Sequence, residues 1–328
     1  MLKKHWLIAM VWVGIFAAAG LRAKGPKYTD PNHADADFVF QGEYVGKLTL
    51  PQGDTKYGVQ IVALGQGVFR AVGYWGGLPG AGWDASARRA VEGRRKEDSV
   101  VFATDQVTVT LRDGTVTITG QDGNQIGRLK KTVRRSPTLG KKPPAGALVL
   151  FNGKNTDAWA PGRMTPAGLL MEGATSKEKF QDQTVHLEFR LPYQPEDRGQ
   201  GRGNSGVYLQ GRYEVQILDS FGLEGKDNEC GGIYTIKAPD VNMCFPPLSW
   251  QTYDIKFTAA RYNARGKCTA PPKFTVRHNG VLIHDNVQLP TNRSTRAAPV
   301  KPGPEPGPLF LQNHGCPVRY KNIWVLKK

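Results

Sequence analysis

Alternation with a period of two runs through most of the chain. In VTVTLRDGTVTITGQDGNQIG (107–127), KFTVRHNGVLIHDNV (273–287) and PLFLQNHGCPVRYKNIWVL (308–326), apolar and β-branched residues alternate with polar ones, and Gly, Asp, Asn and Pro break the runs. Successive side chains of a strand point to opposite faces, so this pattern predicts half-buried strands nearly throughout. Asp113-Gly114 and Asn279-Gly280 stand between alternating runs, where type I′ hairpin turns are expected. Only DASARRAVEGRRKED (84–98) permits a helix. Its apolar stripe is thin, and it is read as a loop or one short helix.

The predicted strands fall into two groups. The best boundary is SPTLGKKPPAGA (136–147), rich in Pro, Gly and Lys. Residues 30–135 before it form a small all-β unit with a Gly-rich excursion, YWGGLPGAGWD (74–84), and 136–146 reads as the linker. From residue 147 to 328, short strands without helices predict a two-sheet sandwich. TNRSTRAAPVKPGPEPG (291–307) is expected to be a surface loop.

The first residues stand apart from this pattern. Lys3 and Lys4, an apolar run from Trp6 to Ala19 and small residues up to Ala23 have the form of a secretory signal peptide, residues 1–23. The run is shorter than the roughly 20 residues of a membrane span, so no span is expected after its removal. Secretion or a bacterial periplasm follows as the expected location. In an oxidising compartment the even set Cys230, Cys244, Cys268 and Cys316 suggests disulfides, with three pairings open. No Cys/His spacing points to zinc.

The formal net charge is +16, with basic clusters at 87–98 and 127–142. No helix-turn-helix, RRM or zinc-finger pattern accompanies that charge, which argues against nucleic acid. The basic loops are either simply solvated or suited to acidic cell-surface glycans.

Candidate chemistry centres on GNSGVYLQGRYEVQILDS (203–220). A two-residue turn would mix charged and apolar groups on both faces of this hairpin. A three-residue turn, Gln210-Gly211-Arg212, pairs Leu209 with Tyr213 and segregates them. Val207, Leu209, Tyr213, Val215 and Ile217 then face the core, while Asn204, Tyr208, Glu214 and Gln216 share the other face. VHLEFRL (185–191) turns Val185, Leu187 and Phe189 inward and leaves His186, Glu188 and Arg190 opposite. FLQNHG (310–315) sets Gln312 and His314 on one face. If these strands are neighbours, their polar rows make a cleft of amides, carboxylates and rings suited to sugar hydroxyls and C–H faces. His278 and His284 are expected at surface or turn positions.

The run LFNGKNTDAW, LEFR, GNSGVYLQGRYEVQILDS, GGIYTIKAPDVNM, W-x-x-YDI and LQNHGCPVRYKNIWV resembles the 3-keto-disaccharide hydrolase family, in family order over about residues 147–328. The resemblance implies an exported bacterial protein with a concanavalin A-like jelly-roll β-sandwich, here preceded by an accessory β domain. It implies a cleft lined by the polar face of the hairpin and sugar substrates oxidised at C3. Glu214, Gln216 and Asp219 stand in the family's Glu-x-Gln-x-x-Asp segment, Gln312 and His314 in its Leu-Gln-x-His-Gly segment, and Glu188 and Arg190 in its Glu-Phe-Arg segment. Cys268 and Cys316 are unusual against that pattern, which favours their pairing with each other.

Ordinary glycoside hydrolysis needs two carboxyl groups about 5–5.5 Å or about 6.5–9.5 Å apart. The alternate position beside Glu214 is an amide, Gln216, which weakens that reading. A 3-keto sugar asks for less, because the ketone acidifies the C2 proton. One base, one acid and a group polarising the ketone then suffice for elimination followed by hydration. Glu214 and His314 are the candidate proton-transfer pair, with their roles left open. Arg190, Lys237, Tyr234 or Asn204 are candidates to polarise the ketone or hold hydroxyls, and a divalent cation is an alternative that no motif marks. A lectin-like module without chemistry and an envelope-associated structural protein are the competing classes.

Overall fold

The computed structural model describes residues 25–328; the expected signal peptide lies outside them. Eight strands build the first unit: β1 (Gly42–Leu50), β2 (Gly53–Gly65), β3 (Val68–Trp75), β4 (Arg89–Lys96), β5 (Ser99–Ala103), β6 (Val107–Arg112), β7 (Thr115–Gly120) and β8 (Gln125–Thr132). Each pairs antiparallel with the next, and β8 returns to β1 with Gly46 opposite Leu129, closing a barrel. Closure removes the exposed edges that a small open sheet would carry. It also explains why the stretch expected as a loop or helix is strand β4. Residues 89–96 fill the gap between β3 and β5 and turn Val91 and Gly93 toward the barrel interior, opposite Ala71 and Phe69.

The remaining strands are β9 (Leu148–Phe151), β10 (Trp159–Ala160), β11 (Leu170–Met171), β12 (Ala174–Phe180), β13 (Gln183–Arg190), β14 (Ser205–Leu209), β15 (Tyr213–Ile217), β16 (Trp250–Thr258), β17 (Arg261–Tyr262), β18 (Cys268–Ala270), β19 (Lys273–His278), β20 (Val281–Gln288), β21 (Gly307–Leu311) and β22 (Arg319–Lys327). One sheet has the order β10-β12-β21-β14-β15; the other has β11-β22-β13-β16-β19-β20, with β9 on β22. β17 and β18 pair by themselves. The inner faces of the two sheets share one core, and Tyr213 of β15 meets Phe257 of β16 at 5.9 Å between ring centroids. The all-β sandwich with an N-terminal β domain is therefore as the alternation implied. The Asp113-Gly114 and Asn279-Gly280 turns both carry positive φ at both residues, as type I′ requires.

The barrel and sandwich are packed together. Val62 and Leu64, on the outside of β2, belong to the sandwich core cluster. Each such buried aliphatic side chain stabilises the contact by about 1.5–3 kcal/mol. Arg202 reaches from the sandwich to Ala63 O at 3.2 Å, and Arg198 to Leu64 O at 2.7 Å. The segment read as a linker lies against the outer face of the larger sheet. Ser136 and Thr138 hydroxyls meet Thr252 Oγ1 at 2.6 and 2.8 Å, and Trp324 Nε1 donates to Lys141 O at 3.2 Å.

Two histidines differ from expectation. His278 and His284 are fully buried, not surface or turn residues. His278 Nε2 bonds to Gln251 Oε1 at 3.0 Å, and His284 Nε2 to Gly231 O at 2.7 Å. Burial pulls them down to about 3 and about 4, so both are held as neutral rings. Alternation placed them on strands but could not show that loops cover them.

Candidate functional site

The hairpin β14–β15 has the register expected from face segregation. Leu209 stands opposite Tyr213 and Tyr208 opposite Glu214, and Gln210 and Gly211 take positive φ in the turn. The face turned from the core carries a polar chain. Gln312 Nε2 donates to the Tyr208 hydroxyl at 3.1 Å, and that hydroxyl donates to Glu214 Oε2 at 2.6 Å. Strand order produces this, because β21 lies beside β14 and pairs Phe310 with Tyr208. Phe310, half-buried, sets its ring 5.3 Å from that of Tyr208.

Glu214 is 1% exposed. Burial pushes its carboxyl up to about 8, only partly offset by the Tyr208 hydrogen bond. Burial, and then the Glu214 carboxyl beside it, push the Tyr208 phenol far above its ordinary range. Gly206 makes room for this arrangement: a Cβ there would lie 2.0 Å from Glu214 Oε1. The backbone N–H of Glu214 is held by Thr295 Oγ1 at 3.0 Å.

Gln216 and Asn204 lie on the same face but are engaged by the protein itself. Gln216 Nε2 donates to Gln200 Oε1 at 3.1 Å, and Asn204 Nδ2 donates to the same oxygen at 3.1 Å. Asn204 Oδ1 is buried without a protein hydrogen-bond partner. Tyr234 borders the site, with its backbone N–H on Glu214 O at 3.1 Å and its phenol near Tyr208. Lys237, on the same loop, is paired with Asp240 at 2.6 Å and is not a free cation.

His314 follows Gln312 in an exposed turn after β21. No hydrogen bond links it to Glu214, whose carboxyl is held instead by the Tyr208 hydroxyl.

The other candidates stand elsewhere. Glu188 and Arg190 lie on β13, in the other sheet, and face away from the core on the far side of the sandwich. Glu188 accepts from Gly140 N at 2.5 Å and from Asn322 Nδ2 at 2.8 Å, clamping the segment after the barrel. Arg190 donates to Thr29 O at 2.9 Å and lies over the Trp250 ring at 5.2 Å. Neither reaches the hairpin face, because alternation reports a side chain's face but not which sheet its strand joins. Asp219 is also structural. It pairs with the buried Arg202 at 2.6 Å, and Arg202 carries the contact on to the barrel.

All four cysteines are free thiols. Cys268 Sγ donates to Ala270 O at 3.3 Å and Cys316 Sγ to Gly201 O at 3.4 Å, so the disulfide expected between them is not formed. Cys230 and Cys244 are buried side by side; burial, then Cys230, push the Cys244 thiol well up. Among the described residues no group of three or more His, Cys, Asp and Glu side chains is placed to hold a metal ion.

Sequence reasoning missed Gln200, Thr295 and Gly206. The Pro/Gly-rich insert gives no periodic signal for Thr295. The glycine directly before Val207-Tyr208 was a readable sign of a close approach.

Fold and site together define a two-sheet β-sandwich protein that presents a buried carboxyl, a phenol and an amide on the outer face of its smaller sheet. The chain belongs to the 3-keto-alpha-glucoside-1,2-lyase-like domain family, which matches residues 146–326. A solved structure of a putative glycosyl hydrolase from Parabacteroides distasonis is 31% identical, over 56% of this chain and 85% of its own, with a TM-score of 0.52. A second from the same organism, with the same description, is 18% identical over 56% of this chain and 94% of its own, with a TM-score of 0.41. No curated protein matches the chain.

Proposed function

We propose that the protein is an exported carbohydrate-active enzyme that cleaves glycosides oxidised at C3 by elimination and hydration. Family membership and the named activity of the Parabacteroides structure support the sugar-active class. The observation that carries the reaction is Glu214: a carboxyl raised to about 8 holds its proton at neutral pH. Tyr208 donates to Oε2, leaving Oε1, above Gly206, as the oxygen that bears the proton. In the proposed sequence a base removes the C2 proton, and the electron pair forms the C1–C2 double bond as the C1–O bond breaks. Glu214 gives its proton to the departing oxygen. The resulting carboxylate then takes a proton from water adding at C1, C2 is reprotonated, and net hydrolysis results. His314 is assigned as the base, reaching the site from its exposed turn. That no hydrogen bond joins it to Glu214 favours a second reading, a sugar-binding module without turnover.

The experiment follows aglycone release from a panel of 3-keto-glucosides and their unoxidised parents, with and without EDTA, for the mature protein, Glu214→Gln and His314→Ala. Release from keto sugars alone, lost in both variants, supports the elimination reading. Binding without release supports the module, and release from unoxidised glycosides overturns the 3-keto assignment.

A further inference from the structure

The two ends of the barrel differ. One end is plugged where it docks on the sandwich. Phe38 packs at 5.1 Å on Tyr193, which comes from the sandwich, and Phe40 meets Phe69 edge-on at 5.9 Å. The opposite end opens into a cavity of about 420 Å³. Its deep walls are the buried side chains of Leu48, Val59, Ala71, Val109 and Ile118. Around the mouth, Leu50, Tyr57, Trp75, Val91, Val107 and Ile126 remain only half-buried. Tyr57 and Trp75 form an edge-on pair at 5.0 Å on one wall, with Tyr57 lying over Gly73, where a Cβ would come within 2.0 Å of its hydroxyl.

Such a ring of incompletely buried apolar groups at one barrel end is costly in water unless something covers it. A closed eight-stranded barrel is wide enough to hold one small ligand. The cavity falls within the about 300–1,000 Å³ typical of small-molecule sites.

One cation faces this opening. Arg89 stands opposite Gly73 in the β3–β4 register, on the inward side with Val91. Its Nη1 donates to Gln106 Oε1 at 3.3 Å, and among the described residues it makes no ion pair. Asp105, on the same rim, is exposed on the β5–β6 turn and is not bonded to it.

We infer that the barrel is a binding site for a medium-chain carboxylate, its alkyl chain in the cavity and its carboxylate on Arg89. The walls are aliphatic all round except for one aromatic pair, which suits a flexible chain better than a flat ring. This inference is independent of the glycoside site on the sandwich.

The test is equilibrium dialysis of the full mature chain with octanoate, 1-octanol and benzoate. Octanoate is expected to bind one per chain, about tenfold tighter than octanol. Arg89→Gln, at an exposed position, is expected to remove that preference while leaving octanol binding unchanged. Val91→Trp, which fills the mouth, is expected to abolish both, with Leu50→Trp as its replacement should it fail to fold. Melting curves establish that each variant is folded. No octanoate binding, octanoate binding indifferent to Arg89→Gln, or benzoate bound in its place would overturn the assignment.

Discussion

Tyr208 and Glu214 face each other across the β14–β15 pair, and the phenol donates to the carboxyl at 2.6 Å. Cross-strand pairing puts the two side chains on one face, and burial does the rest. Out of water the carboxyl keeps its proton, and the phenol is the donor that fixes which oxygen bears it.

Replacing Glu214 by Gln keeps the shape and the acceptor for Tyr208 but removes the transferable proton. Turnover of a 3-keto-glucoside is expected to fall about 10²–10⁴-fold with the fold intact, measured by aglycone release beside a melting curve. The wild-type rate is expected to decline as pH rises through about 8, where Glu214 loses its proton.

The same group makes a stability prediction of definite sign. The folded carboxyl titrates at about 8, above its unfolded range, so the folded state binds more protons between these values. Stability therefore falls as pH rises through that window, on the order of a few kcal/mol in all. Glu214→Gln removes the effect. It should unfold at higher urea than wild type at pH 9, an advantage that should shrink toward pH 5.

Gly206→Ala tests the space beneath the carboxyl. The added Cβ meets Glu214 Oε1, so either that side chain or the strand must move. A destabilisation of about 1–3 kcal/mol and a loss of activity exceeding it are expected, read from denaturant curves and initial rates.

Asp219 and Arg202 form a structural pair that links sandwich to barrel. Arg202→Ala strands a buried carboxylate and should cost about 3–5 kcal/mol. Glu188→Gln should loosen the segment after the barrel. In both variants, turnover per folded molecule is expected to stay near wild type, checked by rates scaled to the folded fraction. A specific loss of turnover in either would return that carboxylate to the active site.

His278 and His284 are expected to make the protein acid-labile. Their folded values, about 3 and about 4, lie below the unfolded range near 6.5. The unfolded state therefore takes up more protons below that range, and stability falls as pH drops from about 6.5 toward 4. Urea unfolding at stepped pH should show this slope, reduced in His278→Met.

Parity explains which parts of the site were readable. Val207, Leu209, Val215 and Ile217 could form a core face only if Leu209 met Tyr213. A one-residue slip reverses every side chain, so the hairpin register followed from the chain alone. The same logic turned Val185, Leu187 and Phe189 inward on β13. The expected pairing of Cys268, on β18, with Cys316, in the loop after β21, failed for lack of any such rule, since an even count states no distance.

The amino-acid sequence by itself determined most of the strands, with β4 the exception, their inward faces, the three-residue turn and the presence of Glu214, Tyr208 and Gln312 on polar faces. Tertiary structure alone decided that β21 lies beside β14 while β13 joins the opposite sheet. It also decided that Arg202 takes Asp219 and that the insert lays Thr295 on β15. The reason is physical. Alternation is a local consequence of backbone geometry, whereas sheet order and loop cover arise from contacts between residues far apart in the chain, which no local pattern encodes.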